Sequence, residues 1–229
     1  MKRFLGVVGI VLCATAARGA DVGELIKQLQ SGDNDARRAA AKALGEGGTE
    51  SKAAVPALIK ALKDRDTFVR RFSAQALGEI GPDAQSAVRP LTAAVDDSKK
   101  EVQSAAAAAL GKLGPSGIES LIGILRDDSK DTAIRRQAIT SLGDLGPAAH
   151  SAVPALTEVL KEKTAKGKKK KMDPENVRVD AANALGSVAK SSDTDAIETL
   201  SALTDKKAKT PRNLRQAANA ALRKIRTNK

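Results

Sequence analysis

The chain has 229 residues, which allows one or two ordinary domains or one elongated array. Hydrophobic residues make up 41% but aromatics only 1%, with no Trp, no Tyr and three Phe, so the core must be built from Ala, Leu, Val and Ile. Such a composition suits closely packed helices and excludes the aromatic stacking platforms that bind single-stranded nucleic acid. The formal charge of +12 bears on solubility and on anionic partners, not on fold.

The first residues stand apart. Lys2 and Arg3 precede an uncharged run, FLGVVGIVLCATAA (4–17), and then small residues. This is the layout of a secretory signal peptide over residues 1–19, and the run is too short to span a membrane comfortably. Cleavage after Gly19 or after Ala16 satisfies the small-residue rule. Leu12 in front of Cys13 argues against lipidation. Removing residues 1–19 takes Lys2, Arg3 and Arg18 and lowers the charge to about +9. It also removes Cys13, the one cysteine, so the mature chain has no thiol chemistry. The expectation is an exported protein, periplasmic or extracellular, that does not cross the membrane once the signal is gone.

From residue 20 to residue 229 the chain repeats itself. ALGEIGP (76–82) returns as ALGKLGP (109–115) and SLGDLGP (141–147). Aligned on the Leu, the register runs Leu44, Leu77, Leu110, Leu142, Leu185, Leu222, with steps of 33, 33, 32, 43 and 37. A period near 33 residues belongs to helical-pair repeats. Apolar or small residues recur eight, four and one before each Leu, as in Val69, Ser73 and Ala76, and these offsets share one face of a helix. Eleven before the Leu, Asp33, Asp66 and Asp131 are placed to cap that helix. Asp173-Pro174 and Thr210-Pro211 read as a cap followed by Pro at the first helical position. Gly48, Gly81, Gly114 and Gly146 close it, and Pro82, Pro115 and Pro147 forbid its continuation.

A shorter helix precedes each of these. Its signature is Val22/Leu25, Val55/Leu58, Val88/Leu91, Ile118/Leu121, Val153/Leu156 and Ile197/Leu200. Pro56, Pro90 and Pro154 fall near its start, where a missing N–H costs little. Each unit is helix, turn, helix, and six stacked units bury what no single unit can. The class is all-α.

The stretches VPALIKALKDRDTFVRRFSAQALGEIGP (55–82) and VPALTEVLK (153–161) resemble the HEAT-like repeat family, in particular the short bacterial type first noted in phycobilisome lyases. The resemblance covers about residues 21–229. It implies a right-handed α-α superhelix of about six helical-pair repeats, with the second helices lining the concave side. It does not imply lyase activity, because no residue here marks a bilin site. It further implies a ladder of Arg with Asp along the repeat turns. The arginines would be Arg37, Arg70, Arg135, Arg178 and Arg215, seven before the Leu, with Gln103 breaking the series. The candidate acids are Asp33 or Asp35, Asp66 and Asp131. These arginines are expected to be solvated or to brace the stack, and they are also placed, with Arg38, Arg71 and Arg136 one residue on, among the groups expected to point inward from the second helices.

Catalytic signatures are scarce. The mature chain has one His, His150, in an inter-repeat turn (GPAAHSAVP), where it reads as a turn residue or cap. There is no GxxxxGK[ST] loop. Glu46, Glu79 and Asp144 recur with the units and need no catalytic role. No catalytic residue, cofactor or metal ligand is assigned, and the chain is not expected to be an enzyme.

The most individual stretch is KEKTAKGKKKKMDPENVRVD (161–180), which interrupts the fifth unit with a basic insertion at 162–173. Lys166, Lys168, Lys169, Lys170 and Lys171 lie there, and Lys206 and Lys207 occupy the matching turn of the sixth unit. Insertions at equivalent turns of a solenoid project from the same edge, so the two would form one basic flap. Three functions stay open. The first is a scaffold that holds another protein on the solenoid surface, as a monomer. The second is binding of an anionic polymer or surface by the flap, with nucleic acid disfavoured by the expected export. The third is an accessory subunit of an envelope enzyme.

Overall fold

The computed structural model describes residues 21–162, 174–205 and 207–227. They form six helical pairs. The first helices are α1 (Val22–Leu29), α3 (Val55–Ala61), α5 (Val88–Ala94), α7 (Ile118–Arg126), α9 (Val153–Lys161) and α11 (Thr194–Thr204). The second helices are α2 (Asn34–Glu46), α4 (Thr67–Ile80), α6 (Lys100–Lys112), α8 (Thr132–Asp144), α10 (Pro174–Val188) and α12 (Arg212–Thr227). No helix of the described residues is long and apolar enough to cross a membrane.

The repeat register is the core. Leu44, Leu77, Leu110, Leu142 and Leu185 are completely covered, as are Leu58, Leu91, Leu121, Leu156 and Leu200 of the first helices. Leu222 is only partly covered, because α12 is the last second helix of the described array and nothing stacks on its outer side. The expected caps form. Asp33 accepts from the Ala36 amide, Asp66 from Phe68 and Val69, and Asp131 from Ala133. In α12 the cap is shifted by one residue: the Pro211 carbonyl accepts from the Arg215 amide, so Pro211 itself stands just before the first turn. Asp173 lies outside the described residues.

The closing glycines take the left-handed conformation that excludes side chains, with φ of 52, 73, 70 and 55° at Gly48, Gly81, Gly114 and Gly146. The chain does not simply stop there. Short 3-10 segments (Gly48–Ala54, Gly81–Ala87, Gly114–Gly117 and Gly146–Ala152) carry it to the next first helix, three of them with Pro in their first turn.

A second set of glycines sets the stacking distance. Gly45, Gly78, Gly111, Gly143 and Gly186 each follow a register Leu and each face the next second helix. A methyl group added there would lie 3.2 Å from Ala76 Cα, 3.0 Å from Ala109 Cα, 2.6 Å from Ser141 Cβ, 3.2 Å from Ala184 Cα and 2.9 Å from Ala221 Cα, respectively. Glycine opposite Ala or Ser lets the backbones approach more closely than any larger pair would. In the last described unit this position is Arg223. Second helices thus pack directly on one another along the array, while the bulkier first helices touch each other far less. A stack that is tighter on one side curves toward that side. The second helices line the concave surface of a right-handed superhelix.

Candidate functional site

The registered arginines bind the units together, and they do so across units. Arg37 donates through Nε to Asp64 at 2.8 Å and through Nη2 at 3.0 Å. Arg70 repeats this on Asp97 at 2.7 and 3.0 Å, and Arg135 reaches Glu162 through Nη2 at 2.5 Å. Each acid lies 27 residues beyond its arginine. The ladder acids are therefore Asp64, Asp97 and Glu162, at the ends of the following first helices. Asp33, Asp35, Asp66 and Asp131 do not take this role, because the arginine side chain points forward to the next turn instead of back along its own helix. Nor do these arginines face inward: Arg37 and Arg135 are 6% and 1% exposed and sit between units. A second hydrogen bond ties each to its own unit, from Arg37 to the Ser31 carbonyl, Arg70 to Asp64 and Arg135 to Leu125. Arg178 donates to the Leu160 carbonyl, and Arg215 to the Ala208 and Thr210 carbonyls.

The broken rung is broken on both sides. Gln103 keeps the bond to its own unit, on the Asp97 carbonyl at 2.5 Å. Twenty-seven residues on, where an acid would stand, is Lys130, which pairs with Asp96 and Asp127. An arginine at 103 would face a lysine.

Charge in the ladder is stabilised where it is buried. Burial alone would raise the Asp64 carboxyl, but hydrogen bonds from Arg37 and from the Asp66 amide outweigh it and hold the group below its usual value. Asp97 is held down in the same way by Arg70 and the Lys99 amide. Asp66 is lowered furthest, first by Arg38 and then by the α4 amides it caps.

The inner surface is built from the next register position. Arg38 on α2 grips the cap of the following unit, Asp66, through Nε at 2.9 Å and Nη2 at 2.5 Å. Arg136 on α8 donates to Asp180 on α10 at 2.6 Å. Arg71 on α4 does neither. Its guanidinium lies 5.2 Å from the Phe68 ring centre and 4.7 Å from that of Phe72, with the two rings 6.3 Å apart. The Arg38 guanidinium also lies over Phe68, 5.0 Å from its centre. Among the described residues Phe68 is the one exposed large hydrophobic side chain, 46% accessible. Beside this cluster a groove of about 540 Å³ runs over α2, α4 and α6, its floor formed by Ala41, Gly45, Ala76, Gly78, Ala105 and Ala109. Lys112 and Glu79 close one end as an ion pair at 2.5 Å. Composition hid this site, since only two aromatics of the repeat region carry it. The signal that could have found it is their spacing, four apart on one helix with two arginines, Arg70 and Arg71, between.

The other expected site residues fare differently. Lys166, Lys168, Lys169, Lys170, Lys171 and Lys206 lie outside the described residues, so the basic flap is not seen. Lys207 is exposed, its amide donating to Asp205. His150 sits in its 3-10 turn with Nε2 3.1 Å from Asp193, a link to the following turn. Among the described residues, no three His, Cys, Asp or Glu side chains gather as a metal site.

The HEAT-repeat family model matches residues 22–110 and 88–170. The chain belongs to the HEAT-repeat family. No curated protein sequence matches it. Among solved structures this HEAT-repeat chain is similar to an engineered protein at 24% identity and TM-score 0.60, over 91% of this chain and 98% of that one. It is similar to a designed armadillo repeat protein at 19% identity and TM-score 0.56, over 90% of this chain and all of that one. It is also similar to the complex of CpcE and CpcF of phycocyanin lyase from Nostoc sp. PCC7120, at 21% identity and TM-score 0.50, over 98% and 99% of the two chains. At these identities the likeness establishes the fold.

Proposed function

We propose that this HEAT-repeat protein is an exported, non-catalytic scaffold that holds another protein against the concave surface of its second helices. The observation that carries the reading is Phe68, an exposed aromatic whose ring lies 6.3 Å from that of Phe72, which lines the groove over α2, α4 and α6. Interfaces concentrate their energy in such aromatic and arginine anchors set beside a pocket. Solenoid curvature supplies the extended surface around it. The non-catalytic part rests on where the charged groups go: most described arginines and carboxylates of the register are engaged in links between units. Export rests on the sequence of residues 1–19.

The test is affinity capture from nuclease-treated envelope extract at rising salt. The baits are the mature protein, Phe68→Ala, and a chain lacking residues 164–172. A protein retained by the loop deletion at high salt and lost by Phe68→Ala supports the scaffold. A protein lost with the loop, washed off by salt and indifferent to Phe68→Ala would move the function to the basic insertion.

A further inference from the structure

At two of the described caps a carboxylate is held by a cation of the unit before. Asp66 takes Arg38, and Asp131 takes Lys100 at 2.7 Å. One unit differs. The cap position of α6 is Lys99, which has no side-chain hydrogen bond to the helix and is exposed. It stands 28 residues after Arg71, the separation that joins Arg38 to Asp66. Where Arg38 has the Asp66 carboxylate at this separation, Arg71 has a second cation. Arg71 is left with ring faces on two sides and with its Nε buried and unpartnered. An arginine stacked on aromatic rings has lost part of its hydration and keeps its N–H fork in one plane, ready for a carboxylate.

We propose that this vacancy in the register is filled by the partner: the α4–α6 notch binds an acidic peptide segment, its carboxylate taking the place of the missing cap and meeting Arg71 and Lys99. An apolar neighbour on the same segment packs against Phe72, Ala105 and Ala108, which line the adjoining groove. The net charge of the mature chain, about +9, favours the approach of such a segment. The inference rests on the scaffold reading above and adds the chemistry of the partner.

The experiment uses fluorescence anisotropy with a short fluorescein-labelled peptide of Glu and Leu. Gln replaces every Glu in one control and Ala every Leu in the other. The full mature chain should bind the Glu/Leu peptide, with affinity falling as salt rises. Either control should bind at least tenfold more weakly, since a charge-assisted pair or an apolar anchor is worth that much. Arg71→Gln should lose binding by a similar factor. Lys99→Asp is the decisive variant. By restoring the internal carboxylate it should abolish peptide binding while raising the melting temperature by about 2–4 °C, a change no unfolded variant can mimic. Equal binding by wild type, Arg71→Gln and Lys99→Asp would overturn the proposal, as would absence of binding to wild type. A partner captured through Phe68 but retained by Lys99→Asp would refute this chemistry and leave the scaffold standing. Capture indifferent to Phe68 would remove both.

Discussion

The contact between second helices is sharp enough at one place to predict the sign of a mutation. Gly111→Ala replaces a glycine in the last turn of α6, which by propensity alone should stabilise by at most about 1 kcal/mol. The added methyl would lie 2.6 Å from both Cβ and Oγ of Ser141 on α8. Turning the Ser141 hydroxyl cannot relieve a clash with its Cβ, so the helices must separate. Overpacking of this kind costs about 1–3 kcal/mol, and the contact is far enough below van der Waals distance to sit at the upper end. The net expectation is a loss of about 1–2 kcal/mol, or roughly 2–8 °C in melting temperature for a chain of this size. Ser141→Gly removes the obstructing atoms. In that background Gly111→Ala should stabilise, giving a coupling of about 2 kcal/mol between the two sites. Urea denaturation followed by circular dichroism on the four proteins measures it. If Gly111→Ala stabilises equally with and without Ser141, the helices do not approach as described and the account of the curvature fails with it.

Other consequences are as direct. Arg135→Ala removes a 1% exposed side chain and leaves the Leu125 carbonyl and Glu162 without their donor, and should cost about 2 kcal/mol by urea denaturation. Because Glu162 is partly exposed, Glu162→Gln should cost well under half as much. Lys130→Asp alone would set three acids together with Asp96 and Asp127 and lower the melting temperature, whereas Gln103→Arg with Lys130→Asp should recover it by rebuilding the missing rung. The carboxyls of Asp64, Asp66, Asp97 and Asp131 are all held below their unfolded value. Their contribution is present above that value and disappears as pH falls through the folded one. The melting temperature should therefore be flat near neutrality and drop from about pH 4 downward. The Asp64→Asn/Asp97→Asn double variant should be less stable at pH 7 and show a shallower acid limb.

The register, caps and closing glycines were legible because each obeys a local rule: helical spacing, an Asp three residues ahead of a free amide, a left-handed turn. The ladder was legible only on its arginine side. Its acids lie 27 residues away in another unit, a distance set by where the next first helix ends, and no local periodicity carries that information. The glycine after each register Leu was visible in every unit but the last, yet read as part of a terminating phrase. Its meaning comes from the neighbouring helix. Spacing groups Arg71 with Arg38 and Arg136 on one face, but its difference from them is written at Lys99, in the following unit.

The constant span from arginine to acid also says where this chain can grow. Between Leu142 and Leu185 the repeat is lengthened to 43 residues, yet Arg135 still finds Glu162 at the same 27-residue interval as its counterparts. The added residues begin only after the clamp has closed. Foreign sequence grafted after position 162 should leave the coupling of units untouched, and the same graft a few residues earlier should sever it. Evolution, or an engineer, has a free seam in the fifth unit, just past its acid.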